Sequence, residues 1–267
     1  MPSASVRMYG ELNDFLPPGW RQETIAYTFQ GTPAVKDVIE SLGVPHVEVE
    51  LVLLNGESVD FAARLGDGDR LAVYPKFESL DVTGLLAVRR EPLRRIAFLL
   101  DGHLGKLARY LRLLGFDAVH TNAFPDEELV AAASREGRIV LTRDRALLKR
   151  SVVTHGYWVR STDPIEQAQE VVRRFDLAGH VRPFTRCLTC GGPLAPVAKE
   201  EVVERIPPRV AAWRDDYLRC TGCGKLYWEG THHPRLRATV DRILGGRALS
   251  GRDRGGGGGT PDRPAGP

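Results

Sequence analysis

Long apolar runs are missing from this chain. No stretch approaches the ~18 residues that a membrane-crossing helix requires. The opening residues, MPSASVRMYGEL, carry neither the basic nor the apolar block of an export leader, so a cytoplasmic location is expected. Cysteine is scarce, with four in 267 residues, and all four fall in two C-x-x-C pairs. Without a leader, that usage argues against a disulfide framework and for a metal. No internal repeat is present.

The rest is ordinary for a soluble protein: 42% hydrophobic and 27% charged residues, in a length that suits one large domain or two to three small ones. The net charge of +3 hides a gradient. Residues 1–80 hold six Lys and Arg against twelve Asp and Glu; residues 81–180 hold 16 against 13, and residues 181–267 hold 15 against nine. An acidic head and a basic rear suggest separate modules, the rear one facing a polyanion; a difference in solubility explains the gradient equally well.

Five segments are expected. Residues 1–80 read as a small unit of order ββαββ, a β-grasp: VRMYGEL and ETIAYTF pair as a hairpin, and TPAVKDVIESLG is a helix with a Thr cap. A basic, proline-containing linker spans 81–94. Residues 95–180 alternate strand and helix, which implies a parallel sheet covered on both faces. Residues 181–240 carry the cysteines. Residues 241–267, rich in Gly, Pro and Arg, have almost nothing to bury and are expected to be a disordered tail.

Three acids occupy comparable places in the alternating segment. Asp101 follows the strand RIAFLL, Asp144 follows RIVLT, and Asp126 opens the helix DEELVAAA. Strand C-termini and helix N-termini share one edge of a parallel sheet, so the three can converge. Converging carboxylates repel unless a cation lies among them. Mg²⁺ or Mn²⁺ suits such a hard-oxygen set, and a metal-activated water can attack a phosphodiester. Taken singly, each Asp also fits helix capping. Glu127 and Glu128 are further candidates that serve the helix dipole equally well, whereas Asp117 and Asp163 read as structural.

Lys106, Arg109 and Arg112 lie opposite the apolar face of helix 104–114, and Arg143 and Arg145 flank Asp144. Lys106, Arg109, Arg143 and Arg145 are the candidate phosphate contacts. A solvated helix face accounts for the first three basic residues about as well. His103, two residues beyond Asp101, can touch substrate, and a structural role is the preferred reading. His232, in the LYWEGTHHPRL stretch, is a candidate substrate contact together with His233.

RCLTCGG and RCTGCGK are matched knuckles: Cys187, Cys190, Cys220 and Cys223, with 29 residues between the pairs. Two pairs complete a closed Cys₄ zinc site, structural rather than catalytic. A thioredoxin-like motif would use only one pair. Tyr227 and Trp228 beyond the second knuckle either stack on bases or fill the small core, and the core is the preferred reading.

These motifs, in this order, resemble a known family. FLLDGHLGKLARYLRLLGFDA, DEELVAAASREGRIVLTRDRALL, the paired C-x-x-C and YWEGTHHPRL are similar to the family named for the C-terminal domain of the Mut-seven exonuclease, over residues 94–237. Residues 5–80 resemble the ubiquitin-like domain often fused in front of it. The resemblance implies an α/β chain in three parts: an N-terminal β-grasp, a PIN-like parallel α/β domain and a Cys₄ zinc ribbon. It implies RNA cleavage with a divalent metal, with Asp101, Asp126 and Asp144 matching the family's acids. Two departures stand out. Arg145, Ala146 and Leu147 follow the third acid where PIN-like nucleases often place a fourth. The front unit also lacks the terminal Gly-Gly of a sulfur carrier, so it is expected to dock a partner or shield the acidic edge. A metal-dependent ribonuclease is the leading expectation, and a non-catalytic RNA-binding or adaptor protein on the same fold is the alternative.

Overall fold

The computed structural model describes residues 1–76, 96–120 and 126–245. The expected linker lies outside the described residues, as does nearly all of the expected tail.

The N-terminal unit is a mixed five-stranded sheet over one helix. Its elements are β1 (Ser3–Met8), β2 (Thr24–Thr28), α1 (Val35–Ser41), β3 (Val49–Leu54), β4 (Glu57–Ser58) and β5 (Arg70–Pro75). The strand order is β2-β1-β5-β3-β4, with β1 and β5 parallel at the centre. This is the expected β-grasp with one additional short strand. Asn55 and Gly56 both have positive φ and turn β3 directly into β4, as a two-residue hairpin demands. Alternate residues Ala4, Val6 and Met8 of β1 join Val35, Val38 and Ile39 of α1 in one core. The expected Thr cap is not formed. Ala34 occupies the cap, and the first helical N–H groups, of Val35 and Lys36, donate to the carbonyls of Ala63 and Phe61.

The second unit is a four-stranded, wholly parallel sheet of order β7-β6-β8-β9: β6 (Ala97–Leu100), β7 (Asp117–His120), β8 (Ile139–Thr142) and β9 (Gly156–Trp158). All residues of β6 and β8 are buried, because both faces are covered. Phe98, Leu100, Ile139 and Leu141 point to one face. There they meet α2 (Gly105–Leu113) and α5 (Pro164–Arg174). Leu99 and Val140 point to the other, against α3 (Asp126–Glu136) and α4 (Arg145–Leu148). The acids read as structural are so: Asp163 caps α5, and Asp117 pairs with Arg138 at 2.9 Å.

The third part is an antiparallel ribbon of β10 (Leu194–Val197), β11 (Tyr217–Cys220) and β12 (Leu226–Tyr227), with a short α6 (Pro208–Ala211). The last helix, α7 (His233–Ile243), leaves the ribbon and packs on α5, placing Val240, Ile243 and Leu244 in the main core. Ordered helix thus runs past residue 240, where the tail was expected to begin, because this apolar stripe has α5 to cover it.

Candidate functional site

Asp101 and Asp144 leave neighbouring parallel strands at the same edge of the sheet, since Leu100 of β6 pairs with Leu141 of β8. Both act as helix caps. Oδ1 of Asp101 accepts the N–H of His103 at 3.0 Å, and Oδ1 of Asp144 accepts the N–H of Ala146 at 2.8 Å. Capping occupies only part of each carboxylate. Oδ2 of Asp101 accepts the hydroxyl of Thr142 and, at 3.3 Å, the N–H of Arg143. That same Thr142 hydroxyl accepts the N–H of Asp144 at 2.9 Å. One fully buried hydroxyl therefore ties the two acid positions together. Asp144 is exposed, and its Oδ2 has no hydrogen-bond partner among the described residues.

Asp126 opens α3, whose far end delivers the chain to the start of β8; its first residue therefore lies toward the same edge. Its side chain is outside the described residues. Among the described residues, the cysteines form the one group of three or more metal-donor side chains within 4.8 Å of one another. The geometry thus brings together two of the three expected acids. Glu127, Glu128 and His103 are exposed nearby.

The sequence pattern does not single out Thr142 or His120. Thr142 is signalled only by its place in the T-R-D step. His120 ends β7 at the same edge, and its Nε2 lies 3.1 Å from the Gly102 carbonyl, so that nitrogen carries the proton. A Cβ at Gly105 would lie 3.2 Å from the His120 ring, so the glycine lets the ring lie close to the start of α2.

The basic residues divide. Lys106 and Arg109 are exposed on α2, as expected. Arg143 is exposed, but its Nη1 donates to the carbonyls of Arg160 at 2.7 Å and Ser161 at 2.5 Å, closing the end of β9. Arg145 corrects the expectation. Its guanidinium lies 3.9 Å from the Trp158 ring centroid and 5.1 Å from that of Phe15, and it donates to the Asp14 carbonyl at 3.3 Å. It serves the seam with the N-terminal unit because the face of α4 that carries it meets that unit. The seam also holds Arg160, bonded to Asp14 at 3.0 Å, and His46, whose ring nitrogens face Glu40 and the Val153 carbonyl.

Arg112 is corrected too. It is 7% exposed, and it donates to the carbonyls of Ala118 at 2.8 Å and Thr189 at 2.8 Å. It fastens the first knuckle to β7. Nor does His232 join the carboxylates. Its neighbour His233 packs on Phe184, whose N–H bonds to the carbonyl of Leu113 at the end of α2. Asp101 precedes the start of that helix, which is about 13 Å long. His232 therefore lies at the opposite edge.

At that opposite edge the four thiols meet. Sγ of Cys187 is 3.6 Å from that of Cys223, and Sγ of Cys190 is 3.4 Å from that of Cys220. A tetrahedral ion with Zn–S bonds of about 2.3 Å needs sulfurs about 3.8 Å apart, so the cage fits. The knuckle N–H groups of Cys190, Gly192, Gly222 and Cys223 point at sulfurs at 3.4–3.5 Å. Tyr227 accepts from the N–H of Leu188 at 3.0 Å, and its hydroxyl lies 3.1 Å from Sγ of Cys187. Desolvation pushes the Cys187 thiol up, but that hydroxyl and the knuckle N–H groups outweigh it and bring the thiol down to about 6. Trp228 packs on the ribbon core, against Tyr217 at 6.3 Å between ring centroids, while Tyr227 is half-buried beside the thiols.

A family model described as the Mut7-C RNAse domain matches residues 96–240, over half of the chain. The chain belongs to the Mut7-C RNAse family. A second model, described as Mut7-C ubiquitin, matches residues 1–81. No curated protein and no solved structure matches the chain. Membership places the parallel sheet in a nuclease-like family, for which RNA is the implied substrate, and it agrees with the thiol cluster as a zinc ribbon. No helix among the described residues is long and apolar enough to cross a membrane.

Proposed function

We propose that this Mut7-C protein is a ribonuclease dependent on Mg²⁺ or Mn²⁺, with Asp101, Asp126 and Asp144 as its metal-binding acids. One observation carries the reading: Asp101 and Asp144 leave adjacent parallel strands and share the Thr142 hydroxyl. The donor set is hard oxygen, which fits either ion. Bound there, the ion supplies positive charge opposite the phosphoryl oxygens and promotes ionisation of a water.

The chain's own residues orient and bind. His103, Thr142 and Arg143 fix both oxygens of Asp101, and Ala146 fixes one oxygen of Asp144 while Oδ2 faces outward. Lys106 and Arg109, exposed on the helix that starts at this edge, hold the RNA backbone in a sequence-blind, salt-dependent way. Cys187, Cys190, Cys220 and Cys223 hold a structural Zn²⁺ away from the reaction. The N-terminal unit is positioned to support α4 and β9 rather than to act as a carrier.

Asp144→Asn tests this. RNA cleavage in Mn²⁺ should be abolished while zinc content and circular dichroism stay unchanged. Undiminished cleavage by that variant would overturn the assignment. An intact protein that retains RNA with a steep salt dependence, yet never cuts it with Mn²⁺ supplied, would favour a non-catalytic RNA-binding role.

A further inference from the structure

A cleft of about 1110 Å³ opens between the ribbon and the start of α7, at the edge opposite the aspartates. Its walls carry five Lys and Arg side chains against three carboxylates. Two of those carboxylates are already paired, Asp215 with Lys199 at 2.9 Å and Glu229 with Arg214 at 3.2 Å. The cations lie beside aromatic faces. Arg214 sits 4.9 Å from the ring centroid of Trp213, and Arg237 sits 5.8 Å from that of Phe184. Trp213 is 58% exposed. Arg214 contacts that indole, and more than half of the residue is left to solvent. The side chains of Arg209, Arg237 and His232 make no hydrogen bond or ion pair among the described residues, and all three residues are exposed.

We infer that this cleft binds a single-stranded stretch of RNA, as a contact region separate from the carboxylate edge. The inference rests on RNA as the substrate class but not on cleavage. An exposed indole beside guanidinium groups suits unstacked bases joined by phosphates. In an A-form duplex the bases are stacked on each other and give an aromatic platform no face to meet. An acidic peptide would satisfy the cations but leave the Trp213 face unused. The ribbon is held firmly enough to serve as a wall: Arg112 bonds the first knuckle to β7, and a Cβ at Gly115 would lie 2.1 Å from the Arg182 carbonyl where the chain returns to the sheet. Bases stack on Trp213, and Arg209 and Arg237 hold phosphates. An RNA long enough to reach both edges gains affinity that a short one lacks.

The test measures binding by the full, zinc-loaded chain carrying Asp144→Asn, without added divalent metal, using fluorescent oligouridylate confirmed intact afterwards. Trp213→Ala should weaken binding about tenfold, and Trp213→Phe should restore most of it. Arg237→Ala should lower the salt slope by about one. Unchanged affinity and slope in Trp213→Ala and Arg237→Ala would overturn the inference. So would competition by an acidic peptide as strong as by RNA. Zinc content and melting temperature show that each variant is folded. The two readings fail separately. Cleavage in Mn²⁺ with binding indifferent to the cleft sinks the cleft alone. Cleft-dependent binding, with a natural protein carrying Asp144 that never cleaves in Mn²⁺, sinks the nuclease alone.

Discussion

The two edges of the parallel sheet each gather metal-donor side chains, and they are built in opposite ways. At the strands' C-terminal edge, three hydrogen bonds fix the half-exposed carboxylate of Asp101, and one holds the exposed carboxylate of Asp144. At the other edge, four thiols lie within 4.8 Å of one another, two on buried and two on exposed cysteines, with knuckle N–H groups and the Tyr227 hydroxyl turned toward the sulfurs. Two carboxylates leave coordination positions of an ion free, whereas four thiolates fill those of a tetrahedral one. A closed, fully ligated ion contributes to folding, whereas an open one contributes to chemistry. The difference predicts which changes unfold the protein and which merely silence it.

Breaking the closed edge should have the largest effect. Cys187→Ser removes one of four ligands to an ion whose binding free energy in small zinc modules is about 10–16 kcal/mol. The expected outcome is loss of stoichiometric zinc together with loss of ordered ribbon structure, read by metal analysis and circular dichroism. Its counterpart at the open edge, Asp144→Asn, should leave both readouts alone.

Arg112→Met ranks next. The guanidinium is almost fully buried and bonded to carbonyls of β7 and of the first knuckle. Removing it strands those acceptors, at a cost of about 1–3 kcal/mol each, so a total near 3 kcal/mol is expected in urea unfolding. Arg112→Lys should recover little, because a single ammonium lacks the planar fork that reaches two segments at once. Full recovery would show that charge, not geometry, joins the sheet to the ribbon.

These two edges were unequally legible from sequence. The thiols sit three residues apart in each pair, so the knuckle geometry is local and the spacing reveals it. Strand tips and helix caps are local as well, which is why Asp101 and Asp144 could be placed on one edge. The fate of a long flexible side chain is not local. Arg112 reads as a solvated position on an amphipathic helix, yet the ribbon arrives from some 75 residues away and covers it. Arg145 reads as a phosphate contact beside Asp144, yet Phe15 and Trp158 arrive from either unit to stack on it. Composition showed an acidic head and basic residues further on; it gave no sign that Asp14 and Arg160 meet across the seam. Likewise Thr32 reads as a helix cap until the loop at 61–63 supplies carbonyls in its place.

The open edge can be probed more finely through Thr142. Thr142→Val keeps the shape and removes the hydroxyl that joins Asp101 to the N–H of Asp144. Groups that orient metal ligands typically change activity about 10–100-fold when removed, and that range is expected for the cleavage rate in Mn²⁺. Zinc content should not move. An unchanged rate would mean that the two acids hold their places without the shared hydroxyl, leaving their proximity a matter of strand order alone.

The smallest effect concerns a third setting for a carboxylate, buried and without any metal. Glu48 is 0% exposed and accepts the N–H of Trp158 at 2.5 Å; its other oxygen is 3.9 Å from Arg160 and makes no hydrogen bond. Desolvation raises its pKa above the usual carboxylate value, and the charges of Arg160 and Arg174 offset that only in part. For an acid whose folded value is raised, its contribution to stability is complete below the unfolded pKa of about 4.3 and is lost as pH rises through the folded value. Glu48→Gln does not titrate. The stability of the natural protein relative to that variant, followed by urea unfolding from acid to neutral pH, should therefore fall as pH rises. A difference that instead grows with pH would mean that Arg160 outweighs desolvation. The seam would then hold an ionised carboxylate through the Trp158 N–H and the charge of Arg160, in a burial that the exposed Asp144 does not share.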